Sequence, residues 1–313
     1  MTARGFAKRG LSRRAMRAGQ FDVSAFDGLG GGSLPPFVVQ HGLGSSATAL
    51  APIIHRLIGH TSRLSAVDLP GHGDSPDARE QVDPQALFVA MTELYDRLID
   101  RPAVVVGNSL GGGIALRYAI HRPEKVAALV LISPAGARIP EADLAGVLGH
   151  FEAAMAGDAL SLAKRLYHAP PWYLPLVAGD VQALMQRKAV GEIVRSANVE
   201  DSFSPEELAS LKMPVLLVWG RSERLLPPSA LAYLREHLPA HALVEEPHGL
   251  GHCPHFDDPA WMSRRILKFS RDSVRTTLPA RHVDHAARPR RDRRSNASRR
   301  SVRRRRDDAR HRA

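Results

Sequence analysis

Six short apolar runs recur along the chain, and glycine or proline lies close to the ends of each. Each run is only four or five residues long and nearly all apolar, which is typical of strands covered on both faces of a mostly parallel sheet. One intervening helix is predicted over residues 85–100, after a start signal at Asp83 and Pro84. The pattern therefore predicts an α/β fold with helices on both faces of the sheet. The predicted strands are residues 37–40, 64–67, 103–106, 128–132, 215–219 and 242–245.

The alternation of strands and helices stops near residue 134, and no strand-like run follows until residue 215. Apolar residues in this stretch recur at helical spacing, so we interpret it as an inserted helical cap. The predicted parts are a basic N-terminal extension and lead-in (1–32), a first core segment (33–133), the cap (134–211), a second core segment (212–270) and a disordered Arg-rich tail (271–313).

The formal net charge of +11 is concentrated at one end of the chain. Residues 271–313 contain 16 Arg and 5 Asp, so the remainder is formally neutral. This tail has too few aliphatic residues to fold on its own, and we expect it to be disordered. It could bind nucleic acid or an anionic surface. It has no aromatic side chain for base stacking, however, and a solvated appendage is the favoured interpretation.

Cysteine usage and hydropathy bear on location. Cys253 is the only cysteine, so no intrachain disulfide can form and nothing indicates an oxidising compartment. No apolar run approaches the roughly 20 residues that span a bilayer. The basic stretch from Arg4 to Arg17 has no hydrophobic segment after it, unlike a secretory signal peptide. We therefore expect a cytoplasmic protein without a transmembrane segment.

The pentapeptide Gly107-Asn108-Ser109-Leu110-Gly111 follows a predicted strand and precedes a helical pattern. It fits G-x-S-x-G, in which the serine occupies a strained strand-to-helix turn and the glycines avoid clashes with neighbouring backbone. The following helix would direct its positive N-terminal end towards a developing oxyanion. The pattern predicts that Ser109 is a catalytic nucleophile. A coincidental glycine-rich turn is the alternative.

A nucleophilic serine needs a general base, and the chain has 15 histidines. His252 lies in a glycine-flanked loop after the last predicted strand, which is where this chemistry places its base; His248 and His255 are close alternatives. These three histidines and Cys253 could also suggest a metal cluster, but their spacing matches no common zinc pattern. We expect no metal, and the chemistry requires no organic cofactor.

Glu223 lies in the loop after a predicted strand, in Trp219-Gly220-Arg221-Ser222-Glu223. An acid at this place holds the imidazole tautomer and stabilises the imidazolium formed during attack. The alternative is an exposed surface glutamate beside Arg221 and Arg224. Because the side chain of Glu is one methylene longer than that of Asp, the loop that carries Glu223 must lie slightly further from the histidine.

Two further glycine-bearing loops each follow a predicted strand. The loop His41-Gly42-Leu43-Gly44-Ser45 follows the first predicted strand and matches the loop that lends a backbone NH to an oxyanion hole. The predicted donors are the backbone NH groups of Leu43 and Leu110. In the turn over residues 68–75, His72 and Asp74 are interpreted as turn and hydrogen-bonding residues.

Taken together, these five motifs resemble the α/β-hydrolase superfamily over residues 33–270, in its serine-nucleophile, cap-bearing branch. The resemblance implies an eight-stranded sheet with a cap inserted after the sixth strand. Glu223 departs from the Asp that most such relatives carry. Relatives that open epoxides or remove halide use an aspartate nucleophile, so Ser109 argues against both activities.

The predicted function is hydrolysis of a carboxylic ester of an apolar substrate through an acyl-enzyme. The elbow also resembles that of hydrolases that cleave carbon–carbon bonds in ring-fission products. Those enzymes usually carry Trp after the catalytic histidine, where this chain has Cys253, so that activity is the second hypothesis. A ligand-binding protein on a hydrolase scaffold is the third. Apolar cap residues are expected either to line a substrate site or to pack the cap; they are Phe151, Met155, Leu166, Tyr167, Trp172, Tyr173 and Leu174.

Overall fold

The structure is a computed structural model, and it describes residues 3–277. Its eight strands are β1 (Ser12–Ala18), β2 (Phe21–Leu29), β3 (Phe37–Gln40), β4 (Arg63–Val67), β5 (Ala103–Asn108), β6 (Val126–Ile132), β7 (Val215–Val218) and β8 (Leu243–Glu245). They form one sheet in the order β1-β2-β4-β3-β5-β6-β7-β8. Strands β3 to β8 pair in parallel, whereas β1 and β2 pair antiparallel. The predicted mostly parallel sheet and all six predicted strands are confirmed.

Strands β1 and β2 were not predicted, because residues 1–32 were interpreted only as a basic extension and lead-in. Strand β1 carries three arginines and is largely exposed at the sheet edge, so it lacks the apolar pattern of a central strand. Asp27 of β2 is buried, and both of its carboxylate oxygens accept hydrogen bonds from Arg63 at 2.8 Å. Within the segment itself, Arg14 Nε lies 3.5 Å from Asp27 Oδ2 and Arg17 Nη1 lies 2.9 Å from Asp22 Oδ1, so arginines of β1 pair with acids of β2.

The helices that flank the sheet are α1 (Ala3–Ala7), α2 (Ala51–Leu57), α3 (Pro84–Leu98), α4 (Leu110–His121), α10 (Pro228–His237), α11 (Pro254–Asp257) and α12 (Pro259–Thr277). Alternate strand residues sort to the two faces. On β5, Ala103 and Val105 pack with α3, α4 and α10, whereas Val104 and Val106 pack with α2 and α12. The predicted helix over 85–100 is confirmed as α3, and Asp83 caps it by accepting from the NH of Ala86.

Between β6 and β7 the chain contains helices and no strand. These helices are α5 (Glu141–Ala153), α6 (Ala159–Arg165), α7 (Ala178–Met185), α8 (Lys188–Ser196) and α9 (Pro205–Ala209). Helices α5 to α8 share a small apolar cluster that includes Phe151, Leu162 and Met185, whereas Leu208 of α9 packs in the core on the α3 and α4 side of the sheet. Glu192 on α8 accepts a hydrogen bond from the NH of Val82, so the insertion is fastened to the loop that precedes α3.

The predictions about the end of the core, the Arg-rich tail, membrane segments and location have different outcomes. Helix α12 continues to Thr277, past the predicted core boundary at residue 270. The predicted disorder of the Arg-rich tail concerns residues that lie almost entirely outside the described part of the chain. Within residues 3–277, no helix is both long and apolar enough to cross a membrane. The exact domain boundaries and the cytoplasmic location stay predictions.

Candidate active site

Ser109 occupies the turn between β5 and α4 with φ 54° and ψ −122°, a region that non-glycine residues rarely adopt. Its NH donates to the carbonyl of Ile132 at 3.0 Å. Its own carbonyl accepts from the NH groups of Gly112 at 2.8 Å and Ala135 at 2.9 Å. These bonds fix the strained turn from both sides, so the side chain is held at the carboxyl end of the sheet.

The glycines on either side of this turn are required by close backbone packing. A Cβ on Gly107 would overlap the carbonyl group of Gly111. A Cβ on Gly111 would lie 2.5 Å from the carbonyl oxygen of His41. Both contacts are with backbone, which cannot move aside as a flexible side chain can. The steric reason for the G-x-S-x-G spacing is therefore present in this chain.

Gly111→Ala is expected to lower the free energy of unfolding by about 2 kcal/mol or more, because the methyl group would press on the backbone of Gln40 and His41 at the end of β3. Gly149→Ala is the matched control. Gly149 lies inside α5 with open space where a Cβ would be, so alanine should raise stability by roughly 0.5–1 kcal/mol through helix propensity. Urea unfolding followed by circular dichroism measures both. Equal effects of the two substitutions would contradict this account of the elbow.

Glu223 and His252 form a buried acid–imidazole pair. The His252 Nδ1 donates to Glu223 Oε2 at 2.8 Å, and the two side chains are only 2% and 4% exposed. The second carboxylate oxygen accepts from the NH groups of Leu225 and Leu226 at 2.8 and 3.1 Å. Burial alone would raise the pKa of Glu223, but His252 and the two backbone donors outweigh it and lower that pKa. The carboxylate is thus held ionised and pointing at the ring.

The other two histidines of this region have different surroundings. His248 is exposed to solvent. His255 is buried against Phe256, with 4.4 Å between the ring centroids. Among the described residues, no three His, Cys, Asp or Glu side chains converge in a way that could hold a metal ion. Of the three candidate bases, His252 is therefore the one that contacts the candidate acid.

Two cavities meet at Ser109. The first has a volume of about 160 Å³ and extends from Leu110 beneath α5 and α8. The second, of about 180 Å³, also contains His252 and extends towards α6 and α7. Residues shared by both cavities are Leu43, Ser109, Phe151 and Leu225. The structure therefore brings Ser109 and His252 into one space, with Glu223 behind the imidazole.

The loop after β3 approaches Ser109 closely. A Cβ on Gly42 would lie 3.0 Å from the Ser109 Cβ, so only glycine fits here without a shift. Leu43 and Leu110 both line the first cavity beside Ser109. Their positions agree with the predicted oxyanion loop, and their role as NH donors stays a prediction.

His41 holds this loop in place from within the protein. Its Nδ1 donates to the carbonyl of Gly42 at 2.8 Å, and its Nε2 accepts from the NH of Leu69 at 3.1 Å. Nε2 therefore carries no proton, so its 3.7 Å approach to Asp68 is not an ion pair. Burial lowers the pKa of His41 to about 4, in keeping with a neutral ring. Asp68 accepts in turn from the NH of Ala47 at 2.6 Å.

Stability is expected to fall steeply between pH 6 and pH 4. Burial lowers the pKa of His41 to about 4 and of His72 and His255 to about 3, against about 6.5 when unfolded. The unfolded chain therefore binds up to three extra protons in this window, which favours unfolding as pH falls. Asp68 acts in the opposite sense, because burial raises its pKa to about 6 and the native state keeps that proton. For these four groups, the net uptake of about two protons corresponds to a slope of about 3 kcal/mol per pH unit.

Urea unfolding at half-unit pH intervals measures this slope. His255→Gln removes one of the three histidines that take up a proton on unfolding. The slope of stability against pH should therefore fall by the contribution of about one proton. His121→Gln alters an exposed histidine on α4 and serves as the control, with an unchanged slope. A free energy of unfolding that is constant from pH 6 to pH 5 would contradict the argument.

Two polar residues that position the site were not singled out from the sequence. Asn108 Nδ2 donates to the carbonyl of His252 at 3.1 Å and to that of Ile132 at 3.1 Å. Asp257 accepts from the NH of Gly251 at 2.8 Å and from the NH of His168 at 2.9 Å. Asn108 occupies a variable position of the G-x-S-x-G motif, so the sequence pattern does not indicate a role for it. Its role in positioning His252 is visible only from the hydrogen bond between these two residues, which lie 144 positions apart.

Residues 164–168 of the insertion are bonded to both loops that carry the acid and the imidazole. The carbonyl of Leu166 accepts from the NH of Cys253 at 2.9 Å. The guanidinium of Arg224 donates to the carbonyls of Lys164 and Tyr167. The insertion therefore shares backbone contacts with the neighbours of Glu223 and His252.

The apolar residues of the predicted cap divide into three groups. Met155 packs against the apolar cluster of the insertion, as the interpretation of cap packing expects. The second cavity is lined by Phe151, Leu166, Tyr167 and Leu174, as one of the two interpretations expects. Trp172 and Tyr173, by contrast, are exposed to solvent and do not line either cavity. For these two residues both interpretations are wrong, because neither side chain is packed inside the insertion.

Comparison with known proteins agrees with this architecture. A family model described as the alpha/beta hydrolase fold matches residues 35–259. The pimeloyl-[acyl-carrier protein] methyl ester esterase of Neisseria meningitidis is 32% identical over 216 residues, which cover 65% of this chain and 81% of that protein.

Two solved structures show the same fold at low identity. The 2-hydroxy-6-oxo-6-phenylhexa-2,4-dienoate hydrolase of Rhodococcus sp. strain RHA1 has a TM-score of 0.72 and 22% identity, and the match covers 83% of this chain and 99% of that one. The naproxen esterase of Bacillus subtilis has a TM-score of 0.69 and 21% identity, with 85% and 94% covered. With the family model spanning most of the sheet and the serine turn at its centre, the chain belongs to the α/β-hydrolase superfamily.

Proposed function

We propose that the protein is a serine hydrolase that cleaves a carboxylic ester of an apolar substrate through an acyl-enzyme. The observation that carries this proposal is the 2.8 Å hydrogen bond between His252 and buried Glu223, beside Ser109 on its strained turn. A relative that is 32% identical is named as a methyl ester esterase, which supports an ester as the substrate class.

In the proposed acylation step, His252 acts as the general base. Its Nδ1 keeps the proton that it donates to Glu223, so Nε2 is free to accept the Ser109 hydroxyl proton. The serine oxygen then attacks the ester carbonyl, and the NH groups of Leu43 and Leu110 stabilise the oxyanion. Collapse breaks the bond to the alcohol oxygen, which leaves with the proton from the imidazolium.

In the proposed deacylation step, water replaces the alcohol. His252 takes a proton from the water, whose oxygen attacks the acyl carbonyl of the Ser109 ester. Breakage of the bond to the serine oxygen releases the carboxylic acid and returns the proton to Ser109. Glu223 remains ionised throughout and stabilises the imidazolium that forms in each half-reaction.

The two cavities suggest how an ester would bind. Both are lined mainly by apolar side chains, and Phe151 and Leu225 separate them at Ser109. An ester carbonyl at Ser109 would direct its acyl group into one cavity and its alcohol group into the other. We therefore infer a substrate with apolar groups on both sides of the ester.

Hydrolysis of p-nitrophenyl esters from acetyl to palmitoyl tests the proposal. We expect an optimum at an intermediate chain length, because a short acyl group leaves its cavity unfilled and a long one exceeds it. Reaction with a fluorophosphonate probe provides a second readout, since it reports an activated serine whatever the substrate.

Three outcomes separate the hypotheses. Ester turnover with probe labelling supports the proposal. Labelling without turnover of any ester would favour the carbon–carbon bond hydrolase, which can be assayed on a ring-fission product. A folded protein that neither reacts with the probe nor cleaves an ester would favour a ligand-binding scaffold and overturn the proposal.

A further inference from the structure

One surface of the insertion exposes several large apolar side chains to solvent. We call Trp172, Tyr173, Leu176 and Val177 the aromatic tip. Trp172 and Leu176 are 85% and 77% exposed. Within residues 5–274, seven large apolar side chains are exposed, and four of them fall in this six-residue segment. Scattered exposed apolar residues are ordinary, but a contiguous patch marks an interaction surface.

The backbone explains why these side chains project. Pro170, Pro171 and Pro175 limit the conformations of the segment. The NH of Leu174 donates to the carbonyl of Pro171 at 3.0 Å, and the buried Leu174 side chain anchors the turn. The ring of Trp172 meets Tyr173 edge to face at 5.9 Å. The tip is therefore a defined turn with an inner anchor and an outer apolar face.

The tip lies at the rim of the second cavity. Leu174 and Val177 line that cavity together with Ser109 and His252. Apolar side chains therefore run continuously from the exposed face of the tip into the candidate active site. A molecule that leaves an apolar phase at Trp172 could reach Ser109 without crossing a polar surface.

The tip itself is uncharged. Its four residues carry no charge, and the nearest Lys, Arg, Asp or Glu residues along the chain, Arg165 and Asp180, are opposite in sign. Tryptophan and tyrosine suit the boundary between lipid and water, because each ring combines an apolar body with a polar group. An uncharged apolar face that carries such rings suits a lipid surface without net charge, where no ionic contact is needed.

We propose that the aromatic tip docks on the surface of a phospholipid bilayer, with Trp172 and Leu176 inserted among the lipids, and passes an apolar ester from that phase to Ser109. The delivery step rests on the proposed function, but the docking step does not. A second copy of this chain is the competing occupant of the tip.

Sedimentation of the full-length protein with phosphatidylcholine vesicles tests docking. These vesicles carry no net charge, so the Arg-rich tail contributes little to binding, and 0.5 M salt should leave binding intact. The Trp172→Ser, Leu176→Ser double variant should partition at least about tenfold more weakly. Leu29→Ser is the matched control, because Leu29 is 80% exposed at the end of β2, outside the insertion, and its loss should change nothing.

A second readout separates docking from delivery. The double variant should hydrolyse soluble p-nitrophenyl acetate like wild type but should lose about tenfold in rate on a long-chain ester dispersed in the vesicles. Wild type that binds vesicles and hydrolyses no ester would overturn the proposed function while docking stands. Equal vesicle binding by wild type and double variant would overturn docking. So would a wild-type dimer, detected by light scattering, that becomes monomeric in the double variant.

Discussion

Replacing Ser109 by alanine is expected to lower kcat for ester hydrolysis by roughly 10⁴-fold or more, with little change in KM. The substitution removes the oxygen that would form the proposed acyl-enzyme and keeps the apolar lining of both cavities. Alanine retains the Cβ, so the strained turn and its backbone hydrogen bonds persist. Steady-state kinetics on the best p-nitrophenyl ester of the series measures the loss.

Ser133 offers a matched control for this variant. It is also a buried serine with positive φ, 39°, and it follows the neighbouring strand β6, but it lines neither cavity. Ser133→Ala should therefore retain ester hydrolysis close to wild type. If Ser109→Ala kept full activity, or if both variants lost it equally, the assignment of the nucleophile would be wrong.

Glu223→Gln is expected to lower kcat by roughly 10³- to 10⁴-fold while the protein remains folded. The amide has nearly the shape of the carboxylate, and its oxygen can still accept from Leu225 and Leu226. Its NH₂ group would then face His252, where it cannot accept the Nδ1 proton, so the ring would adopt the tautomer that cannot serve as base. The loss of negative charge also removes the stabilisation of the imidazolium.

Two further variants distinguish charge from position. Glu223→Asp keeps the charge but withdraws it by one methylene, and we expect an intermediate loss of roughly tenfold to a hundredfold. Glu245→Gln changes another acid at the end of a strand, one that pairs with Arg265, and should leave kcat near wild type. Wild-type activity in Glu223→Gln would show that another group orients His252.

Some of this architecture is readable from sequence because steric rules tie residue type to position. Gly107 and Gly111 could be assigned because backbone lies where their Cβ atoms would be. Strands β3 to β7 were recognisable because nearly all of their residues are buried, whereas β8 lies at the sheet edge, is partly exposed and was recognisable only as a short apolar run. Strand β1 was missed since an exposed edge strand with three arginines carries no apolar pattern.

Other features depend on contacts that no local pattern encodes. Asn108 reaches the backbone of His252 across the fold, and His41 bridges two loops from a buried position. The direction of Trp172 was also unpredictable, because a proline-rich turn has neither the period of a helix nor that of a strand. Hydrophobicity alone cannot say whether such a side chain faces a pocket or solvent.

The bonds from residues 164–168 to the two catalytic loops have a consequence for how this enzyme could be remodelled. If the insertion swung away as a rigid lid, the Leu166 carbonyl would leave the NH of Cys253 and disturb the adjacent imidazole. We therefore expect a substrate to enter without rigid-body movement of residues 164–168. A chimaera that receives the helices of a relative would need compatible carbonyls at these positions. We therefore expect that substitutions in residues 164–168 made to change substrate selectivity will also change the rate of turnover.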